Sequence, residues 1–293
     1  MKKVIGYCLI LIVLSCKSET KQMKENTKQP LRMEASVTTH ADQLKEQLIA
    51  KGFTIMADID HAMGAEKVGL DLRPTRTLIF GNPKGGTLLM QQKQEIGIDL
   101  PLKLVVWEDE KGAIHTSYYN ATALANRYGI TQPEVVIAKV NGMFTGLTGS
   151  TRKALEPIEK DTYKELITKA SLLNTEETFN KLKEVVLAKG LQVMAEVPHD
   201  KGAAKVGLEL RPTRTLVFGN PKVGTLFMQS NQEMALDLPF KVLVYENEKG
   251  ETQLSYHDAT FLTRRYGITD KEAVAQKVNG VLDGITNAVI AQE

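Results

Sequence analysis

The sequence predicts an α+β fold made of two tandem copies of one domain, each an antiparallel sheet with helices on one face. Three observations carry that prediction. The chain overlays itself without a gap when shifted by 138 positions, so that GLDLRPTRTLIFGNPKGGTLLM at Gly69 meets GLELRPTRTLVFGNPKVGTLFM at Gly207. Its 293 residues are enough for two domains of ordinary size, and its 42% apolar and 25% charged content is that of a globular protein. Within each copy, helical spacing, short apolar alternation and one hairpin signal follow one another. The repeat unit is far longer than the roughly 20–50 residues of a solenoid.

Taken in order, residues 41–51 carry Leu44, Leu48 and Ile49 at helical spacing, with Gly52 as the stop. Residues 53–59 alternate apolar side chains and read as a strand. Residues 61–69 read as a loop with about one helical turn. Residues 76–80 form a buried strand that ends on the turn signal Gly81-Asn82-Pro83, and residues 86–92 a short helix. Residues 102–107 and 113–118 make a hairpin across Asp109-Glu110-Lys111-Gly112, and residues 121–128 and 133–145 read as closing helices. Residues 33–37 and 164–170 are expected to supply a first strand for each copy. Domain one spans 32–148 and domain two 163–291, with a linker over 149–162 that contains Pro157.

The copies match unevenly. Across positions 69–88 they agree at 17 of 20 positions, whereas over the flanks about half agree. A uniform recent duplication would not do this, so packing or function holds the opening block.

The N-terminus reads as an export signal. MKK is a charged n-region, and VIGYCLILIVLS is an apolar core too short for a comfortable transmembrane helix. It ends in Val13-Leu14-Ser15-Cys16, which resembles a bacterial lipoprotein lipobox. The resemblance implies a signal peptide over 1–15, cleavage before Cys16 and lipid on its sulfur. A polar tether over 16–31 would follow, lacking the apolar content of a core. Cys8 and Cys16 are the two cysteines, so the mature globule would hold no disulfide, thiol nucleophile or cysteine metal site. Lys2 and Lys3 account for the formal net charge of +2 and would leave with the signal. A near-neutral chain lacks the basic face that nucleic acid requires, so no nucleic-acid partner is expected.

The words His61…Gly64-Ala65…Gly69-Leu70…Leu72-Arg73-Pro74-Thr75, Phe80-Gly81-Asn82-Pro83-Lys84, Gly86-Thr87 and Asp99-Leu100-Pro101 resemble those of the DUF302 family, and the second copy repeats them. The resemblance covers about 105 residues of each copy. It implies a compact domain resembling the TATA-binding-protein-like fold, β-α-β4-α, and no established activity. Fold analogy does not bring DNA binding with it.

Candidate site residues come from the repeated words. FGNPKGGT runs from strand through turn into helix, where free amides beside Lys84 could hold an anion. Its near-match to a phosphate loop lacks the lysine that would follow Gly86, which argues against nucleotide hydrolysis. The alternative is a plain turn made by Asn82-Pro83, with Gly86-Thr87 starting the helix and no ligand. Of five histidines only the His61/His199 pair recurs; each could touch a ligand, act as a base or tie down a loop. A metal box is not expected, since Asp60 becomes Pro198 in the second copy. Asp99 could pair with Arg73 or Lys103, contact a ligand beside His61, or cap its turn on local amides. Arg73 could serve an anion or a salt bridge. With their doubles, the ligand-binding candidates are His61, Arg73, Asn82, Lys84, Asp99, His199, Arg211, Asn220, Lys222 and Asp237, and no cofactor is expected.

These readings converge on a lipid-anchored cell-envelope protein, on the periplasmic side or at the cell surface. Its domains would form an internal pseudo-dimer that binds a small polar or anionic ligand or an envelope protein. Two alternatives stand beside it: an acid–base enzyme, hydrolase or isomerase, using the His and Asp of each copy, and a structural lipoprotein without a small-molecule site.

Overall fold

Val37, Ala41, Leu44 and Leu48 form one buried stripe on helix α1 (Leu31–Ala50), which lies across the first sheet. The computed structural model describes residues 31–148 and 165–291. The signal peptide, the tether, Cys16 and the linker over 149–162 lie outside the described residues, apart from Leu31.

The first domain continues through β1 (Thr54–Asp60), α2 (His61–Glu66), β2 (Thr75–Gly81), α3 (Pro83–Gln92), a 3-10 turn at Gln94–Ile98, β3 (Leu102–Glu108), β4 (Ile114–Tyr118), α4 (Ala121–Arg127) and α5 (Glu134–Thr148). The second runs β5 (Leu166–Ser171), α6 (Thr175–Ala188), β6 (Gln192–Pro198), α7 (His199–Lys205), β7 (Thr213–Gly219) and α8 (Pro221–Ser230). A 3-10 turn at Gln232–Leu236, β8 (Phe240–Glu246), β9 (Thr252–His257), α9 (Ala259–Arg265) and α10 (Glu272–Ile290) complete it.

Both sheets are antiparallel, ordered β1-β2-β3-β4 and β5-β9-β8-β7-β6. The second domain is thus β-α-β4-α with short helices inserted. The first departs from the expectation at one element: residues 33–37 are helical, part of α1, and among the described residues no first strand pairs with β4. Val37 explains the difference physically. It belongs to the buried stripe that runs on to Leu48, so a strand break there would strip the helix of that core contact.

The long helices α1 and α6 cover one face of their sheets. In β2 and β7 nearly every residue is buried on both faces. Leu78 and Phe80 join the α1 stripe in the core, while the alternate Thr75 and Thr77 point to the other side. That other face receives the short helix of its own domain and the 3-10 turn of the other domain. At Gly97 the approach is closest: an added Cβ would stand 3.1 Å from Leu243 Cδ1.

The two domains meet through reciprocal pairs. Arg73 Nε donates to Gln232 Oε1 at 3.0 Å and Arg211 Nε to Gln94 Oε1 at 3.1 Å. Gln232 donates to Thr75 Oγ1 at 2.7 Å and Gln94 to Thr213 Oγ1 at 2.6 Å. Helix α2 packs on α8, and α7 on α3. The same patch is used on both sides, the geometry of a two-fold interface.

Candidate functional site

The repeated words build two composite pockets. Asn82 opens α3, its side chain accepting from Lys84 N at 3.0 Å, and Pro83 takes the first helical position, where no amide is needed. Asn220 and Pro221 do the same for α8, with Lys222 N donating to Asn220 Oδ1 at 2.9 Å. Each helix start then faces the other domain's short helix. An added Cβ on Gly202 would lie 3.6 Å from Pro83, and one on Gly64 would lie 3.9 Å from Pro221. His199 and Gly202 therefore stand beside Asn82, Pro83 and Lys84, in a first pocket of about 1140 Å³. His61 and Gly64 stand beside Asn220 and Pro221, in a second of about 750 Å³. Gly69 and Gly207, each at φ +71°, turn the chain out of α2 and α7 in the left-handed conformation that glycine tolerates.

The first pocket has an apolar floor that includes Leu89, Ile96, Leu100 and Met143, all buried. Five exposed lysines line it: Lys51, Lys84, Lys139, Lys201 and Lys205. Its one acidic side chain, Glu196, is already paired with Lys183 at 2.5 Å. The second pocket holds a single lysine, Lys67, with Asp58 and Asp60. Asp58 is taken by a two-pronged contact from Arg76 at 2.7 and 2.8 Å, and Asp60 caps α2 by accepting from Met63 N.

Both histidines are buried and neutral. His61 Nε2 meets Thr77 Oγ1 at 2.9 Å, and His199 Nε2 meets Thr215 Oγ1 at 3.0 Å. The Thr215 hydroxyl donates to the Gly97 carbonyl at 3.1 Å, so the hydrogen between histidine and threonine belongs to His199 Nε2. Burial, with the Lys103 charge, lowers the His61 pKa to about 3, and burial lowers that of His199 to about 4.

Asp99 and Asp237 lie in neither pocket. They form a buried ionic network between the domains, with side chains 2% and 1% exposed. Arg127 Nη1 donates to Asp99 Oδ2 at 2.7 Å, as does Tyr128 Oη. From the other domain, His257 Nε2 approaches Asp99 Oδ1 at 3.2 Å and Lys241 Nζ stands 3.6 Å away. Around Asp237 stand its own Arg265 at 2.9 Å and Tyr266 at 2.7 Å, and Tyr119 of the first domain at 2.5 Å. Tyr119 and His257 are equivalent positions in the repeat, so each domain sends one polar ring to the other's aspartate. Glu165 is shared by Arg127 at 3.1 Å and Arg265 at 2.6 Å. Burial alone would raise the Asp99 carboxyl, but the charges of Arg127, His257 and Lys241 hold it well below the usual carboxylate range. Burial drives the Lys103 amine well below its usual value, and its Nζ donates to the Leu238 carbonyl at 2.6 Å.

Set against the sequence candidates, the structure brings Asn82 and Lys84 together with His199, and Asn220 with His61. It does not bring His61 to Asp99. Nor does Asp99 cap its turn: it enters the buried network, where Arg127 and Tyr128 of its own domain and His257 and Lys241 of the other surround it, while local amides already bond to carbonyls. Its arginine is Arg127 rather than Arg73. Arg73 and Arg211 tie the domains through glutamine, and Lys222 is exposed outside the second pocket. Sequence reasoning passed over Lys51, Lys139, Lys201 and Lys205. Lys201 carried a usable signal, since the first copy has Met63 at that position. Among the described residues, no group of three or more His, Cys, Asp or Glu is placed to hold a metal ion.

Comparison with known proteins finds similarity to part of several curated proteins and to one family model. The chain is 36% identical over 112 residues to "Fluoride-specific ion channel FluC 1" of Brucella suis biovar 1 (strain 1330), covering 38% of this chain and 44% of that protein. Identity to "Fluoride-specific ion channel FluC 2" of Brucella melitensis biotype 1 is also 36% over 112 residues, covering 38% and 42%. The chain thus spans less than half the length of these curated relatives, and no helix among the described residues is long and apolar enough to cross a membrane. A solved structure, "uncharacterized conserved protein DUF302 from Bacillus stearothermophilus", aligns at 20% identity and a TM-score of 0.41, covering 43% of this chain and 99% of that one. The family model described as "Domain of unknown function DUF302" matches residues 30–146 and again 167–285. The chain belongs to the DUF302 family and carries its domain twice.

Proposed function

We propose that this protein binds a small anionic ligand in the first composite pocket, with its two domains working as an internal pseudo-dimer. We further propose that it is exported and held at a bacterial membrane, on the envelope side or at the cell surface, by lipid on Cys16. The single observation that carries the ligand reading is the imbalance of charge in that pocket. Five lysines line it, none of them in an ion pair with a described residue, and its one carboxylate is already paired. Like charges gathered at a concave, apolar-floored site raise the local concentration of anions. The Val13-Leu14-Ser15-Cys16 pattern supports the anchor. With His61 on Thr77 and Asp99 in the central network, the acid–base alternative lacks its pair.

The test is calorimetric titration of the full chain with acetate, inorganic phosphate and fluoride, the last because the curated relatives are named for it. At least one should bind, and Lys84→Glu should weaken it about tenfold, the change expected from reversing one exposed charge about 6 Å away at a dielectric close to that of water. No binding by any anion, in wild type and variant alike, would favour the structural-lipoprotein alternative. For the anchor, Cys16→Ala should release the protein from membranes; retention with normal processing would exclude it.

A further inference from the structure

Building on that reading, we propose that the ligand is a single-chain amphipathic anion of the fatty carboxylate class. Its head would sit among the pocket lysines and its hydrocarbon chain in the groove between α3 and α5. Three features point there. The first pocket, at about 1140 Å³, exceeds the roughly 300–1,000 Å³ usual for small-ligand sites, far more than a bare anion fills. Its floor is hydrocarbon, contributed by both α3 and α5, so the cationic rim stands directly above an apolar cleft.

The third feature is a difference between the copies. Helix α10 packs on α6, α9 and β5, whereas α5 packs chiefly on α4 and is left as a wall of the pocket. Between α3 and α5 stands Gly85, where an added Cβ would lie 3.7 Å from Val136 Cγ1. The second copy has Val223 at that position, packed against the core, and no residue of α10 lines the second pocket. The Thr87 hydroxyl, buried in the lining of the first pocket, has no partner, while its double Thr225 donates to the Pro221 carbonyl at 2.8 Å. The duplicated site is thus smaller and without a terminal-helix wall in one copy, and larger, walled by α5 and lysine-rimmed in the other.

The experiment titrates the full chain with octanoate, decanoate and dodecanoate, with acetate, dodecanol and dodecyltrimethylammonium as controls. Affinity should rise up to about fourfold per methylene until the groove is full. Dodecanol and the ammonium should bind at least tenfold more weakly than dodecanoate. Gly85→Val should weaken dodecanoate at least tenfold while leaving acetate unchanged, and Lys84→Glu should weaken both. Val136→Trp, approaching from α5, should repeat the Gly85→Val result and guards against a local effect of one substitution.

Dodecanoate binding no tighter than acetate overturns the proposal but leaves the anion reading intact. Loss of acetate binding as well removes both. Equal binding of dodecanol assigns the groove to neutral lipid and overturns it. Crosslinks from Lys84 or Lys139 to lysines within residues 17–28, unchanged by dodecanoate, would assign the groove to the chain's own N-terminal segment, which also overturns it.

Discussion

The two composite pockets are made from the same words and differ in what surrounds them. Each joins an Asn-Pro helix start from one domain to a buried histidine from the other. The first is larger, carries five lysines and is walled by α5; the second carries one lysine with two aspartates, and α10 is withdrawn from it. What this teaches is a division of labour within the repeat. The words that match across copies build the joint, and the positions that differ, Gly85/Val223 and Lys201/Met63 among them, decide what each pocket can accept.

The largest effect should come from breaking what both pockets share. Asp99→Ala takes the buried carboxylate from Arg127 and Lys241, leaving Arg127 only the shared Glu165, and should cost about 3–5 kcal/mol, read by urea denaturation. Asp237→Ala, which leaves Arg265 only Glu165 as a carboxylate partner, should cost nearly as much. Since each pocket borrows from both domains, either change should impair both pockets, and selective loss of one would break the comparison. The pH dependence has a defined sign. Both carboxyls are held below their usual range, so their contribution is complete above an unfolded value of about 4 and is lost as pH falls through the folded values.

A smaller effect should appear at milder acidity. Unfolded histidine takes a proton near 6.5, whereas folded His61 and His199 resist until about 3 and about 4. Stability should therefore be full above pH 6.5 and fall below it, by up to about 1.4 kcal/mol per pH unit for each histidine. Thermal melts between pH 7 and 5 check this, and His199→Gln should remove about half of the slope. A variant with an unchanged slope would show that the burial of that ring does not couple to folding.

The interdomain ties come next. Gln94→Ala and Gln232→Ala each remove the interdomain hydrogen bonds to a buried threonine hydroxyl and to an arginine, and each should cost about 1–2 kcal/mol. Near-equal losses would sharpen the picture of a symmetric joint beneath asymmetric pockets; a several-fold difference would contradict it. Smallest is the swap at the groove. Gly85→Val should change stability by under about 1 kcal/mol, because the second copy already accommodates valine in the same helix, while Val223→Gly should cost about 1 kcal/mol. Chemical denaturation measures both.

Much of the local structure was legible before any coordinates. The turn at Asn82-Pro83, the turn at Gly112 and the hairpin around it follow from chemistry within a few residues of chain, although α3 begins at Pro83, ahead of the start expected at Gly86. The first strand of domain one was misread at residues 33–37, because the helical stripe there includes one valine and only its packing on the sheet extends it. The histidines were recognised as a repeating pair, but their neighbours were not: His199 meets the Asn82 turn across more than a hundred residues, through a close approach of two short helices. The role of Asp99 was missed for the same reason, since His257 stands 158 residues away in sequence.

By itself, the sequence determined the duplication, most of the element types within each copy, the turn signals and the list of residues worth watching. Those features depend on period, propensity and short-range hydrogen bonding, which are written in adjacent positions. Only the tertiary structure decided that the repeated words face each other across the joint, that the aspartates are buried in a shared ionic network, and that one pocket is larger and lysine-rimmed while the other is smaller. Those outcomes depend on which surfaces meet when α5 and α10 pack differently, and a packing choice between distant segments leaves no local pattern to read.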